Sequence, residues 1–77
     1  MYMKKKGKKA QNRIKVALAQ KEKSNKWLAE QLGVIETTVS LWCRNRAQPQ
    51  LETFYEIAEL LDMEVRKLIV PTKEQDE

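Results

Sequence analysis

Residues 25–44, NKWLAEQLGVIETTVSLWCR, decide the fold of this 77-residue chain. Three apolar positions in the first half recur with the spacing of one helix face: Leu28, Ala29 and Leu32. In the second half, Val39 and Trp42 lie three residues apart and mark the inner face of another helix. The pattern therefore predicts two short helices, about residues 25–32 and 36–44, joined by a tight turn.

The residues around these helices indicate where each one begins and ends. Ser24 precedes the first helix, and its side-chain oxygen can accept a hydrogen bond from a free N–H group there. Gly33 follows that helix and, without a Cβ, easily adopts the left-handed conformation that ends a helix. Val34 is expected to return to the core. Ile35 precedes the second helix and has no side-chain oxygen, so we expect no side-chain cap there.

This spacing resembles the helix-turn-helix of the phage repressor/Cro type, the XRE family. That motif has a small residue at its fifth position, Gly at its ninth and a β-branched aliphatic residue at its fifteenth, which here are Ala29, Gly33 and Val39. The similarity extends over about residues 11–70. It implies an all-α, five-helix, repressor-like domain that acts as a sequence-specific, double-stranded-DNA-binding transcriptional regulator. The helix at 36–44 would be the recognition helix in the major groove.

Three further helices are predicted around this pair. One begins near Asn12, a possible N-cap, and runs to about Gln20. The others cover about residues 51–61 and 65–69, and a loop at 47–50 precedes them. Their apolar positions, which we expect to face the core, are Ile14, Ala17, Leu18, Leu51, Phe54, Ile57, Ala58 and Leu61, with Val16 near the edge.

Charge is unevenly distributed along the chain. Residues 1–50 carry 12 Lys and Arg against 3 Asp and Glu, whereas residues 51–77 carry 3 against 8, which leaves a net charge of +4. A basic half that contains the motif suits binding to a polyanion. Residues 1–10 are predicted to be a disordered basic tail and residues 71–77 an acidic tail. The basic tail is interpreted either as an arm along DNA phosphates or as a tail that only adds solubility.

Several classes of function lack their usual residues. The chain has no His and a single Cys, Cys43, so it lacks the commonest general base and cannot form an intrachain disulfide. Without a Gly-rich phosphate loop or a base–nucleophile pair, we expect no enzyme, cofactor, metal or small-molecule substrate. No apolar run approaches the ~20 residues that span a bilayer, so we expect a cytoplasmic protein with no membrane partner. Cys43 is interpreted as a packed or idle thiol.

Side chains around the recognition helix provide two predicted sets of DNA contacts. The base-contacting set points away from the inner face of the helix: Glu36, Thr37, Ser40 and Leu41. The phosphate-contacting set combines an amide with three cations: Asn25, Lys26, Arg44 and Arg46. A carboxylate at Glu36 is unfavourable near phosphates unless it accepts a hydrogen bond from a cytosine amino group. Asn45 is expected to adopt the left-handed conformation where the family often has Gly.

Trp27 and the apolar residues near the C-terminus leave alternatives open. Trp27 is predicted to cover the edge of the core, to pack on a DNA sugar or to touch a partner.

Because one recognition helix reads few base pairs, we expect a homodimer. The predicted interface consists of Tyr55, Val65, Leu68, Ile69 and Val70. Alternatively, these residues close the core of the monomer. An alternative function is an antitoxin-like or other protein-interaction module.

Overall fold

The structure, a computed structural model, describes residues 11–70. Its elements are α1 (Ile14–Gln20), α2 (Asn25–Leu32), α3 (Glu36–Cys43), α4 (Leu51–Leu61) and a 3₁₀ turn (Val65–Leu68). No strand is present among these residues, in agreement with the all-α prediction. The predicted bounds of α2 and α4 are confirmed, whereas the predicted fifth helix is a single 3₁₀ turn. The two predicted tails, residues 1–10 and 71–77, lie outside the described residues.

One hydrophobic core holds the helices together. Its buried side chains come from all four helices and the 3₁₀ turn: Ile14, Ala17, Leu18, Leu28, Ala29, Val39, Trp42, Phe54, Ile57, Ala58, Leu61 and Leu68. Helical periodicity predicted every one of these core positions except Leu68. The longest helix, α4, has 11 residues, too few for a helix to be stable alone in water. Burial in the shared core therefore stabilises every element of the fold.

Three apolar residues that were expected at the core or its edge are exposed. Leu51, predicted on the inner face of α4, is 62 % exposed, and Val34 is exposed after the turn at Gly33. Both predictions were wrong, because no neighbouring element among the described residues covers the first residue of α4 or the residue that follows Gly33. Val16, expected near the edge of the inner face of α1, also lies on the surface.

The starts of α2 and α3 differ as the sequence predicts. Ser24 Oγ accepts a hydrogen bond from the Trp27 N–H at 2.9 Å, which satisfies one of the free N–H groups at the start of α2. Gly33 ends α2 in the left-handed conformation, at φ +74°. Ile35 occupies the N-cap position of α3 and provides no cap, and its side chain is 69 % exposed. The second helix of the pair is thus held by its packing rather than by a cap.

The first described residues join the beginning of the domain to its end. Asn12 and Ile69 form an isolated antiparallel bridge. Two backbone hydrogen bonds flank this bridge: the Arg13 N–H donates to the Leu68 carbonyl at 2.9 Å, and the Val70 N–H donates to the Gln11 carbonyl at 3.1 Å. The 3₁₀ turn is therefore held against the segment before α1 as well as against the core.

Asn12 does not occupy the N-cap position that the sequence predicted for it. The helix begins at Ile14, and Arg13 is the N-cap residue without a side-chain cap bond. Asn12 nevertheless serves the start of the helix, because its Oδ1 accepts a hydrogen bond from the Ile14 N–H at 3.0 Å. Its side chain is 3 % exposed, so this is a buried polar group whose hydrogen bonds matter for stability.

We expect the two helix starts to respond in opposite directions to a change of cap. Ser24→Ala removes the cap of α2 and should lower the free energy of unfolding by about 0.5–2 kcal/mol. Ile35→Ser introduces a hydroxyl where α3 has none and should raise the free energy of unfolding by about 0.5–1 kcal/mol. Urea unfolding of both variants and the wild type measures these changes.

Two control variants separate capping from other effects. Ser24→Asp keeps an oxygen acceptor before α2 and should retain most of the wild-type stability. Ile35→Ala removes the same exposed apolar side chain without adding an acceptor. Equal unfolding midpoints for Ile35→Ser and Ile35→Ala would mean that no cap forms at α3.

Candidate nucleic-acid interface

The helices α2 and α3 pack directly against each other. Four side chains of this pair are buried in the core: Leu28, Ala29, Val39 and Trp42. Ala29 is small enough to allow a close approach of two helices, and Gly33 reverses the chain between them. With one side of α3 committed to the core, its opposite side is left on the surface.

That surface side of α3 carries the residues predicted to contact bases. Glu36 and Thr37 are exposed, and Ser40 and Leu41 are half-buried. Positions i, i+1, i+4 and i+5 lie along one side of a helix, so these four residues form one stripe opposite Val39. We call them the outer stripe. It offers a carboxylate, two hydroxyls and an isobutyl group, which can exchange hydrogen bonds with a ligand and make one apolar contact.

The residues predicted to contact phosphates come from two neighbouring helix ends. Asn25 and Lys26 are the first two residues of α2, where free N–H groups and the positive end of the helix dipole attract anions. Arg44 and Arg46 follow α3 and are exposed. The Cys43 thiol donates to Asn25 Oδ1 at 3.5 Å. This contact places the start of α2 beside the end of α3 and therefore brings Asn25 close to the chain segment that carries the two arginines.

Asn45 lies between those arginines and has the predicted left-handed conformation, at φ +59°. Its Oδ1 accepts hydrogen bonds from the Gln11 N–H at 2.8 Å and the Asn12 N–H at 2.9 Å. The Gln48 side chain donates to the same oxygen at 3.1 Å. Sequence reasoning predicted the backbone conformation of Asn45 but missed these bonds, because Gln11 and Asn12 lie 34 and 33 positions away along the chain.

The model of the helix-turn-helix family matches residues 14–68, from the start of α1 to the end of the 3₁₀ turn. This protein belongs to the XRE-type helix-turn-helix family. The resemblance found in the sequence is thereby confirmed, and α2 and α3 are the two helices of the family motif.

This helix-turn-helix protein is also similar to a solved structure. The crystal structure of a proposed DNA-binding protein from Bacteroides fragilis matches it with a TM-score of 0.77 and 52 % sequence identity. The match covers 78 % of this chain and 97 % of that one. No curated protein sequence matches the chain. Within residues 11–70, no helix has the length and apolar character required to cross a bilayer.

Trp27 lies at the edge of the core in this helix-turn-helix protein. Its side chain is half-buried and packs against the core residues. The Lys23 ammonium lies 4.8 Å from the centre of the indole ring, a distance typical of a cation–π contact. Of the three placements that the sequence left open, the structure shows the first, and contacts to a DNA sugar or to a partner stay predictions.

The Cys43 thiol has no sign of nucleophilic activation. Burial raises the pKa of the Cys43 thiol above its ordinary value, and the opposing effect of the Lys15 ammonium is smaller. The thiol is therefore protonated at neutral pH, when a nucleophilic cysteine needs to be a thiolate. This agrees with the interpretation of Cys43 as a packed thiol, whose contact with Asn25 joins α3 to the start of α2.

The residues predicted to form a dimer interface do not all reach the surface. Leu68 is 0 % exposed, so its inclusion was wrong: the 3₁₀ turn inserts this side chain into the core of the monomer. Tyr55 is 56 % exposed, and with Val65 it lines a groove of about 530 Å³. Ile69 and Val70 are half-buried. Four of the five predicted residues therefore have surface that a partner can cover.

Proposed function

We propose that this protein is a transcriptional regulator that binds double-stranded DNA sequence-specifically, with α3 as the recognition helix in the major groove. The observation that carries the proposal is the outer stripe of α3, which lies on the surface beside the phosphate-directed groups of α2 and the two arginines. Family membership and the similarity to the proposed DNA-binding protein from Bacteroides fragilis support DNA as the ligand. A cytoplasmic location follows from that ligand, and the proposal includes no cofactor.

Contacts to the DNA backbone position α3 in this proposal. The first turn of α2 faces a phosphate, to which its free N–H groups donate. The amide nitrogen of Asn25 donates to the phosphate, while its Oδ1 accepts from the Cys43 thiol. Lys26 adds a positive charge. Arg44 and Arg46 bind phosphate oxygens through their guanidinium groups, which can form two parallel hydrogen bonds.

The outer stripe supplies the contacts that depend on base sequence. The hydroxyls of Thr37 and Ser40 exchange hydrogen bonds with base edges, and Leu41 contacts a thymine methyl group. The Glu36 carboxylate accepts a hydrogen bond from a cytosine amino group. Glu36 also lies in the first turn of α3, where its negative charge interacts favourably with the positive end of the helix dipole. The Glu36 carboxylate, which phosphates repel, therefore stabilises the start of α3.

A second copy of the chain completes the proposed DNA-binding unit. One α3 reads only a few base pairs, too few to select a site among the many competing sites of a genome. Two copies related by a two-fold axis read half-sites about one helical turn apart. Tyr55, Val65, Ile69 and Val70 form the proposed contact between them. The same surface would serve the alternative function, a protein-interaction module, which a stable complex with another protein in the absence of DNA binding would favour.

We expect DNA binding with a strong dependence on salt. Each phosphate that the protein neutralises releases counterions, so log K should fall against log salt with a slope of about −0.9 per phosphate contact. Fluorescence anisotropy with a labelled random-sequence duplex, measured between about 50 and 200 mM KCl, gives this slope. A flat plot, or no binding at the lowest salt, would reject DNA as the ligand.

We expect variants of the arginines to change the overall affinity for DNA and variants of the outer stripe to change the sequence preference. Arg44→Ala should weaken binding to all sequences alike and make the salt slope less steep by about 1. Thr37→Val should instead cost about 1–3 kcal/mol at one base pair and leave other positions of the site unchanged. Selection of bound sites from random DNA, followed by titration of the best site, measures both effects.

A matched control tests whether net charge alone explains the arginine effect. Arg66 is exposed, lies in the 3₁₀ turn outside both predicted DNA-contacting sets, and pairs with Glu64 at 2.6 Å. Arg66→Ala removes the same charge as Arg44→Ala and should leave the salt slope nearly unchanged. Equal slopes for Arg44→Ala and Arg66→Ala, or identical sequence preferences for Thr37→Val and the wild type, would contradict the division of roles.

We expect two protomers on each selected palindromic site. Tyr55→Asp places a charge on the proposed contact and should reduce the complex to one protomer, with weaker binding to the whole site. Because Tyr55 is exposed, this variant should fold. Val16→Asp, an apolar-to-acidic change on the surface of α1, is the control. Native mass spectrometry of each complex counts the protomers, and one wild-type protomer per site with full specificity would end the dimer proposal.

A further inference from the structure

A cluster of hydrogen-bonded polar side chains connects the segment before α1 to the turn after α3. It consists of Asn12, Asn45 and Gln48, and we call it the polar clamp. We propose that the polar clamp positions Arg44 and Arg46 for the DNA backbone, so that Asn12 and Asn45 are positioning residues for DNA binding; this inference rests on the proposed function. None of the three side chains belongs to the predicted DNA-contacting sets.

The Asn12 side chain forms hydrogen bonds with backbone groups at the ends of two helices, α1 and α3. Its Nδ2 donates to the Trp42 carbonyl at 2.9 Å, within the last turn of α3, and to Gln48 Oε1 at 2.6 Å. Its Oδ1 accepts from the Ile14 N–H, one of the N–H groups without a partner inside α1. Because Asn12 is almost fully buried, each lost bond would leave a buried polar group without a partner. The position of the end of α3 relative to α1 is therefore tightly specified.

Asn45 completes the clamp from the other side. Its Oδ1 accepts from Gln11, Asn12 and Gln48, and its Nδ2 donates to the Asn12 carbonyl at 3.3 Å. Its own N–H donates to the Trp42 carbonyl at 2.9 Å, the same oxygen that accepts from Asn12. The side chains of Asn12 and Asn45 thus both bind the turn after α3, in which Asn45 has a positive φ.

The consequence for DNA binding comes from the positions of the arginines. Asn45 separates Arg44 from Arg46, so the clamp fixes the backbone on which both side chains stand. The Arg46 N–H also donates to the Leu41 carbonyl at 2.9 Å, which ties this turn to the outer stripe. When the backbone is fixed in advance, binding has to order only the arginine side chains. Without the clamp, binding must also order the turn.

Asn45→Gly removes the side chain from the clamp with a residue that can adopt the same left-handed backbone conformation. Glycine adopts the left-handed conformation readily, so the variant retains the turn but loses all four side-chain hydrogen bonds. We expect weaker DNA binding and a salt slope less steep by about 1 to 2, as for the loss of one or two phosphate contacts. Gln48→Ala removes an exposed side chain and two of the clamp bonds, and should produce a smaller change in the same direction.

A stability control distinguishes positioning from mere destabilisation. Ile57→Val weakens the core in α4 at a fully buried position and leaves the clamp intact, so its salt slope should equal that of the wild type. Titrations are done at a temperature where every variant is folded by circular dichroism. If Asn45→Gly keeps the wild-type slope, or if Ile57→Val changes the slope equally, the clamp does not position the arginines.

Amide hydrogen exchange without DNA provides an independent measurement. The amides of residues 45 and 46 should exchange faster in Asn45→Gly than in Ile57→Val, because only the former loses the side-chain hydrogen bonds that hold the turn. Unchanged exchange would overturn the clamp itself. If the wild type binds no DNA at low salt, the proposed function fails and the role in DNA binding fails with it, whereas the exchange result still reports whether the clamp holds the turn.

Discussion

Burial in one small core is the constraint on which the rest of this structure depends. Helices of 7 to 11 residues gain too few internal hydrogen bonds to offset the cost of starting a helix. Each must bury an apolar face against the others. The motif helices α2 and α3 therefore exist only as part of a domain, and the surface that α3 presents is determined by which of its residues the core takes. Val39 and Trp42 are committed inward, and this leaves the outer stripe to the solvent.

The core was largely predictable because its signal is local. Helical spacing predicted the bounds of α2 and α4. Ser24 and Gly33 marked the two ends of α2, because a side-chain oxygen can cap a helix and glycine readily adopts the left-handed conformation that ends one. The same reasoning failed at Leu51 and Val34, since apolar character does not show which side chains the neighbouring elements leave uncovered. It left Leu68 open between the dimer interface and the monomer core, because four residues in a 3₁₀ turn are too few to show a periodicity.

The site was predictable to a different extent. Which residues of α3 face outward follows from the two inward positions, so helical geometry and the amino-acid sequence suffice to derive the outer stripe. The hydrogen bonds of Asn12 and Asn45 could not be derived in this way, because they join residues far apart in the chain, and polar residues carry no pattern that reveals their partners. An asparagine after a helix is expected because Asn readily adopts the left-handed conformation. Since this explains the residue by itself, nothing in the sequence indicated that its side chain also forms hydrogen bonds.

The bridge between Asn12 and Ile69 has a consequence for how the domain folds and opens. It closes a loop that contains almost the whole described chain, and the entropy lost on closing a loop increases with its length. Contacts between α2 and α3, close in sequence, can form before this closure. We expect the two ends of the domain to be joined after those contacts form, and opening of the bridge to pull on Leu68, whose carbonyl accepts from Arg13 and whose side chain is buried. Opening of the bridge would free the turn after α3 from its bonds to Gln11 and Asn12 while α2 and α3 stay packed, so this turn can open before the domain unfolds globally.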